Sequence, residues 1–334
     1  MHIRKKRPWE IPEREAVPEE VFLNRRQAIK KLGSWSVGAG ALAIGADPLF
    51  GLLSSPRVFG LFEDAKPIIK IPETPTSHLY PAIRNERFVL GDRVLTDEEL
   101  AAKYNNFYEF SANKDVYKHV GDMEPRPWQI EVTGLVEKPR TFDIDSLVKE
   151  MALEERLYRF RCVEAWAMAV PWTGFPMRDF VKKMRPLSSA KFIRMETFYK
   201  KSWSPGQRYR FWLPWPYQEG LTMAEATNEL AFLATGIYGH ELPNQHGAPI
   251  RLVVPWKYGF KNIKSIVRID FTAEAPQTFW NTLVPNEYDF QANVDPRKPH
   301  PRWSQATERL LGVDKRVETR LYNGYEEFVA GLYA

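Results

Sequence analysis

The chain has 334 residues, of which 44% are hydrophobic and 13% aromatic; that supports a sizeable core and excludes wholesale disorder. Its 26 prolines and 11 tryptophans argue for turns and extended segments over a helical bundle. The formal charge is +5, but residues 1–46 hold nine basic and five acidic residues and the rest is almost balanced, which excludes a nucleic-acid partner.

Residues 24–46 read NRRQAIKKLGSWSVGAGALAIGA: two arginines, two lysines, then an apolar run that ends at Asp47. The run is short for a membrane span, which takes roughly 20 apolar residues. A basic flank, a short apolar region and a small-residue end describe a signal peptide over 1–46, and Arg25–Arg26 point to twin-arginine export to the periplasm. Cargo of that route folds before it crosses, often around a cofactor. Inside the leader, GAGALA fits the GxGxxA dinucleotide pattern, but no strand precedes it and it is discarded.

Residues 47–100 read as a proline-broken wrapping segment, closed by a short helix in LTDEELAAKY that Thr96 and Asp97 cap. YNNFYEFS follows as a polar-aromatic loop. The alternation in 129–136 predicts a strand, with a turn at Lys138–Pro139 and a helix entering near Asp145. ERLYRFRCVEAW reads as a strand running into a cysteine loop, PMRDFVKKM as a helix and AKFIRMETFY as a strand. GLTMAEATNEL reads as a helix, and APIRLVVPWKYGFKNIKSIVRIDFTAE as two strands flanking an aromatic-basic loop. The last fifty residues show little regular structure. The spacing predicts an α+β domain over 101–334, with mixed β-sheets, short helices and long loops rather than an all-parallel sheet.

Cys162 is the only cysteine. An exported fold with one cysteine has no internal disulfide, and a lone thiol in an oxidising compartment is a liability unless it is buried or occupied. Four readings stay open. A nucleophile needs a base, usually histidine, and none of His2, His78, His119, His240, His246 and His300 is near it in sequence. A structural zinc site lacks its ligand spacing. A soft or high-valent metal would take the thiolate, which Arg159 and Arg161 would favour. The fourth reading is a plain buried cysteine. Further on, WKYGFKNIK offers Lys257, Lys261 and Lys264 to an anionic phosphate, with Gly259 permitting close backbone approach. Taken alone, that stretch is equally a basic surface loop.

The segments YNNFYEF, LEERLYRFRCVEAWAMAVPWTGFP, GAPIRLVVPWKYGFKNIKSIV and HPRWSQATER resemble, in that order, those of the sulfite-oxidase-like molybdoenzymes. Within them they resemble the periplasmic branch that reduces methionine sulfoxide in proteins. The likeness runs from the leader to the C-terminus. It implies a sulfite-oxidase-like molybdopterin-binding catalytic domain and a molybdenum-molybdopterin cofactor whose metal is held by Cys162. It further implies cofactor contacts at Asn105, Tyr108 and Glu109, at Thr197, at Arg251, and at Asn262, Ile263 and Lys264, the last three through backbone and ammonium groups. His246 stands where the family pattern has Asn; both side chains donate a hydrogen bond, and protonation of His246 would alter the site's redox behaviour.

Glu164 is the candidate for proton handling beside the metal, and Trp166 for a pocket wall. Electrons have to come from outside, since the sequence has no CxxCH haem motif and no flavin motif. The resemblance implies a haem-containing membrane subunit as donor and oxidised periplasmic proteins as substrates. Two competing expectations remain. Sulfite-type oxidation would need cations clustered at the metal, and an exported non-catalytic binding module would carry no metal at all.

Overall fold

The structure, a computed structural model, describes residues 68–71, 73–313 and 315–334. The expected signal peptide over 1–46 and the first part of the expected wrapping segment lie outside the described residues. In chain order the strands are β1 (Gln129–Gly134), β2 (Arg140–Asp143), β3 (Glu154–Arg161), β4 (Trp166–Pro176), β5 (Phe192–Thr197), β6 (Gln218–Thr222), β7 (Phe232–Ile237), β8 (His240–Glu241), β9 (Arg251–Val253), β10 (Ile266–Thr272), β11 (Thr307–Leu310) and β12 (Arg316–Glu318). Between them lie short helices: α1 (Glu98–Lys103), α2 (Ile144–Glu150), α3 (Met177–Met184), α4 (Pro205–Tyr209), α5 (Met223–Ala226), α6 (Phe279–Leu283) and α7 (Glu326–Val329). This is the mixed α+β architecture expected.

Two sheets carry it. One runs β2-β1-β10-β5-β6, with β1 and β10 parallel and the other neighbours antiparallel. Its first strand alternates, burying Ile130 and Val132, as a half-covered strand must. The second sheet is built on β4. All eleven of its residues are buried, so WAMAVPWTGFP has no polar face and reads as an unbroken apolar run. One edge of β4 pairs along its length with β3; the other pairs with β11 at Trp166 and with β7 from Trp172 onward. Off that frame, β9 pairs with β7.

Helix starts follow the sequence. Asp97 accepts from Leu100 N–H at 3.0 Å to cap α1, and Asp143 accepts from Ser146 N–H at 3.0 Å to cap α2. The α3 stripe Met177, Phe180, Val181 and Met184 is buried at helical spacing. Two expectations are corrected. GLTMAEATNEL is not one helix: Gly220–Thr222 belong to β6, and only Met223–Ala226 coil, behind a Thr222–Glu225 capping box. A Cβ on Gly220 would sit 2.4 Å from the Pro276 ring, so the sheet position needs a glycine. The last fifty residues are also more ordered than expected, because β11 and β12 pair and extend the second sheet.

The described part of the wrapping segment lies in the same compact unit as the rest of the described chain. It runs along β3, where Asn85 N–H donates to Glu155 O and Glu155 N–H to Ile83 O, both at 2.8 Å. It then reaches β4, where Thr96 N–H donates to Ala169 O at 2.8 Å.

Candidate active site

Strands β3 and β4 are joined by the turn Cys162–Ala165, and Cys162 lines a cavity of about 710 Å³. Cys162 N–H donates to Trp166 O at 2.9 Å, Ala165 N–H donates to Cys162 O at 3.1 Å, and Ala165 takes a left-handed φ of 61°. An alanine there costs on the order of 1 kcal/mol, so contacts from elsewhere have to hold the turn. Val163 O accepts from Trp303 Nε1 and Gln305 Nε2, both at 2.7 Å. Arg161 donates to Cys162 O, and its Nε donates to buried Glu308 at 2.9 Å; Glu308 also receives Arg93. HPRWSQATER is therefore the brace of the cysteine turn.

Burial pushes the Cys162 thiol up to about 12, and the Glu164 carboxylate adds to it; Lys114 and Arg161 pull the other way and are outweighed. The expectation that Arg159 and Arg161 favour the thiolate is corrected. Arg159 turns away to Leu90 O at 3.0 Å, with Asn323 O and Asp92 at 3.3 Å. Arg161 is engaged by Glu308 and by Gln305 at 2.8 Å. A metal cation bound here would displace that proton and hold the sulfur as the thiolate.

Two residues missed in the sequence complete the surroundings of the sulfur. Asn106 Nδ2 donates to Cys162 Sγ at 3.4 Å and to Glu164 Oε2 at 3.2 Å. Lys114 Nζ donates to Asn106 Oδ1 at 2.5 Å and forms an ion pair with Glu164. Trp166 Nε1 reaches the same carboxylate oxygen at 3.2 Å, and its ring lines the cavity. Burial alone would raise the Glu164 carboxyl, but Lys114, Asn106 and Trp166 hold it below the usual carboxylate range. Glu164 is thus an ionised acceptor, and its ion-pair partner is Lys114 rather than either arginine. The doubled Asn in YNNFYEF was the only sequence signal for Asn106.

The other cavity residues gather on three loops. Asn105, Tyr108 and Glu109 line the cavity after α1. Asn105 Nδ2 closes the end of α1, on Ala101 O at 2.9 Å and Ala102 O at 2.8 Å. Tyr108 packs edge-on to Trp280 at 4.9 Å. Burial raises the Glu109 carboxyl, with Lys264 and Thr197 opposing it. Arg251, Asn262, Ile263 and Lys264 also line the cavity. Lys264 Nζ donates to Asn106 O at 2.7 Å, and burial with the nearby Arg251 lowers its pKa. Thr197 sits behind this wall and donates to Lys264 O at 2.7 Å; it does not line the cavity.

The lysine loop needs a correction. Only Lys264 reaches the cavity. Lys257 is buried against Glu225 at 2.5 Å and Asn293 at 2.9 Å, and Lys261 against Glu219 at 3.0 Å. Gly259 makes room for the Phe160 ring, which a Cβ would meet at 2.4 Å. The backbone amides expected at 262–263 are engaged as well: Asn262 N–H donates to Gly259 O at 3.1 Å and Ile263 N–H to Lys261 O at 3.0 Å. The Asn262 side chain bridges Val254 N–H at 2.7 Å and Tyr258 O at 3.2 Å. Lys264 N–H has no acceptor among the described residues.

His246 lies behind Arg251, whose Nη1 donates to His246 O at 2.8 Å. Its ring is 1% exposed, and neither nitrogen has a partner among the described residues. Burial, then Arg251 and Lys264, push it down to about 3. Burial and the two cations thus oppose the expected protonation of His246.

The residues fit a large anionic group that carries a soft metal. Arg251 and Lys264 are buried cations with no carboxylate in ion-pair range among the described residues, and burial holds Arg251 down to about 9. Such charges call for an anion. Behind Arg251 the neutral, unpartnered His246 ring offers one further N–H, and the free Lys264 amide offers another. Among the described residues no group of three or more His, Cys, Asp or Glu could hold a metal alone. A metal at Cys162 therefore takes its other ligands from a cofactor. Among the described residues no histidine lines the cavity, so a Cys–His nucleophile finds no base among them.

Residues 117–280 match the family described as the oxidoreductase molybdopterin binding domain. The class is thereby set: an oxidoreductase that works with a molybdopterin cofactor. Among curated proteins, the chain is 43% identical over 333 residues to the protein-methionine-sulfoxide reductase catalytic subunit MsrP of Burkholderia mallei, covering 97% of this chain and 93% of that one. It is also 43% identical over 338 residues to MsrP of Pseudomonas syringae pv. tomato, covering 96% and 94%. The chain belongs to the family of protein-methionine-sulfoxide reductase catalytic subunits. Among solved structures, the sulfane dehydrogenase SoxCD of Paracoccus pantotrophus is similar at a TM-score of 0.44 and 15% identity, covering 76% of this chain and 67% of that one.

Proposed function

We propose that the chain is the catalytic subunit of a system that reduces methionine sulfoxide residues in proteins to methionine, exported to the periplasm by the twin-arginine route and supplied with electrons by a haem-containing membrane subunit. One observation carries the choice of substrate. The charged groups beside Cys162 neutralise one another: Lys114 is paired with Glu164, Arg161 with Glu308, and Arg159 points elsewhere. A small dianion such as sulfite would need free cations beside the sulfur. A neutral sulfoxide does not.

When bound, the molybdenum centre supplies the oxygen-atom and two-electron chemistry; the protein supplies ligation, orientation and access. The balance is sulfoxide plus two electrons and two protons to thioether plus water. Cys162 Sγ is the metal ligand, and Asn106 Nδ2 holds that sulfur in place. Arg251, Lys264 with its amide, Tyr108 and Glu109 hold the cofactor, and Asn105, Asn262, Ile263, Thr197 and His246 shape their setting. Lys114 Nζ reaches the sulfur's neighbourhood through Asn106, to whose Oδ1 it donates, and Glu164 Oε2 holds that ammonium in position. Trp166, Tyr108, Trp280 and Tyr288 supply aromatic wall for the departing thioether. Support for the export route comes from Arg25–Arg26 and the short apolar run that follows them.

The test uses cofactor-loaded protein, a chemically reduced dye and an oxidised protein. The expected result is conversion of methionine sulfoxide to methionine, abolished in Cys162→Ser with much of the fold intact and one sulfur scatterer fewer at molybdenum by X-ray absorption. A molybdenum-loaded wild-type protein with no reduction of the oxidised protein would overturn the reading.

A further inference from the structure

We propose that the mouth of the cavity carries a carboxylate-binding subsite made by Arg309 and Arg316, which receives an acidic side chain of the protein substrate close to the methionine being reduced. The inference rests on the reading of the substrate given above and sharpens it.

Arg309 on β11 and Arg316 on β12 are directly opposite in the antiparallel register. Opposed residues of such a pair project from the same face, and like charges there destabilise the ladder. Both are exposed and both line the cavity. The other rim cations are neutralised, Lys114 by Glu164 and Arg302 by Glu287 at 2.7 Å. Among the described residues Arg309 and Arg316 have no carboxylate in ion-pair range.

Their heads are nonetheless held. Arg309 Nη2 donates to Tyr104 Oη at 3.0 Å, and its guanidinium lies 5.3 Å from that ring. Arg316 donates to Thr307 Oγ1, from Nη2 at 3.0 Å and from Nε at 3.2 Å. Each guanidinium has five N–H donors, so both keep donors for a ligand, and the planar fork matches a carboxylate.

The pair is close to the chemistry. Arg309 is in register with Trp166 on β4, and Tyr104 packs edge-on to the Trp166 ring at 5.0 Å. Trp166 Nε1 bonds Glu164 beside Cys162. A polypeptide that places a methionine at the sulfur passes this rim. The buried cations Arg251 and Lys264 serve the enclosed part of the cavity, whereas Arg309 and Arg316 meet solvent, where a substrate arrives. An exposed contact of this kind is worth up to about fivefold in affinity and is screened by salt.

The experiment compares two methionine-sulfoxide peptides with cofactor-loaded enzyme and reduced dye, one with aspartates flanking the methionine and one with asparagines. Wild type is expected to show a kcat/KM ratio of up to about fivefold in favour of the acidic peptide at low salt, shrinking toward one at high salt. The ratio is expected to fall to about one in Arg309→Gln/Arg316→Gln. It is expected to invert toward a lysine-flanked peptide in Arg309→Glu/Arg316→Glu. A wild-type ratio of one with normal reduction overturns this subsite and leaves the substrate reading standing. A ratio unchanged in the glutamine variant also overturns it, and a loss of molybdenum content alongside would assign the arginines to the cofactor. No reduction of either peptide by loaded wild type overturns both.

Discussion

Asn106 lies between the two ends of the cavity: its Nδ2 donates to Cys162 Sγ at 3.4 Å while its carbonyl accepts from Lys264 Nζ at 2.7 Å. One residue thus ties the sulfur to the buried cation. Asn106→Ala is expected to cut turnover by about 10- to 100-fold, the usual cost of removing a partner of a metal ligand. Molybdenum content, measured on the same sample, should stay near that of wild type. Unchanged turnover would leave Asn106 a mere turn residue.

Arg251 and Lys264 make a prediction with opposite signs in loaded and empty protein. Each contact to the cofactor's anion is worth about 1.5–3 kcal/mol, so Arg251→Met/Lys264→Met should lower molybdopterin content. In cofactor-free protein the same change removes buried charges that lack an ion-pair partner, and the variant should melt no lower than cofactor-free wild type. Full pterin content in the variant would defeat the assignment.

His246 gives a pH test. Its folded value, held at about 3 by burial, lies below the ordinary 6.5. Between those limits the unfolded chain binds a proton that the fold does not, so stability falls as pH falls, at about 1.4 kcal/mol per pH unit. His246→Asn should remove that slope. Urea midpoints of cofactor-free wild type and variant at pH 6.5, 5.5 and 4.5 measure it, and the raised Glu109 cancels in the difference. Parallel lines would mean that the folded imidazole takes up a proton after all.

The leader is tested separately. Arg25→Lys/Arg26→Lys should strand precursor in the cytoplasm, read by fractionation and immunoblot. Normal periplasmic accumulation of that variant would remove the twin-arginine assignment.

What the sequence conveyed depended on whether a residue's surroundings are local. The α3 stripe and the β1 alternation are periodic, and both elements fell where expected. Strand β4 escaped because burial on both faces erases the period. The resemblance led to most of the cavity residues, yet nothing local separates Lys264 from Lys257 and Lys261. Only the fold supplies Glu225 and Glu219 to bury the other two. Asn106 lies in the polar-aromatic loop and Lys114 just beyond it, and nothing local marks either one, since their partner Glu164 is fifty or more positions away. Arg161 looked like a partner for the thiol because it adjoins it, but Glu308 claims it from across the chain.

That last contact has a consequence for the order of events in the cell. The cysteine turn is set by Glu308, Gln305 and Trp303, all near the C-terminal end, and Arg316 closes part of the rim. A nascent chain that has yet to release its final segment has neither the strut behind the thiol nor a finished cavity wall. Proteolytic trimming from the C-terminal side should therefore loosen the cysteine turn and lower metal content while leaving the cysteine itself in the chain.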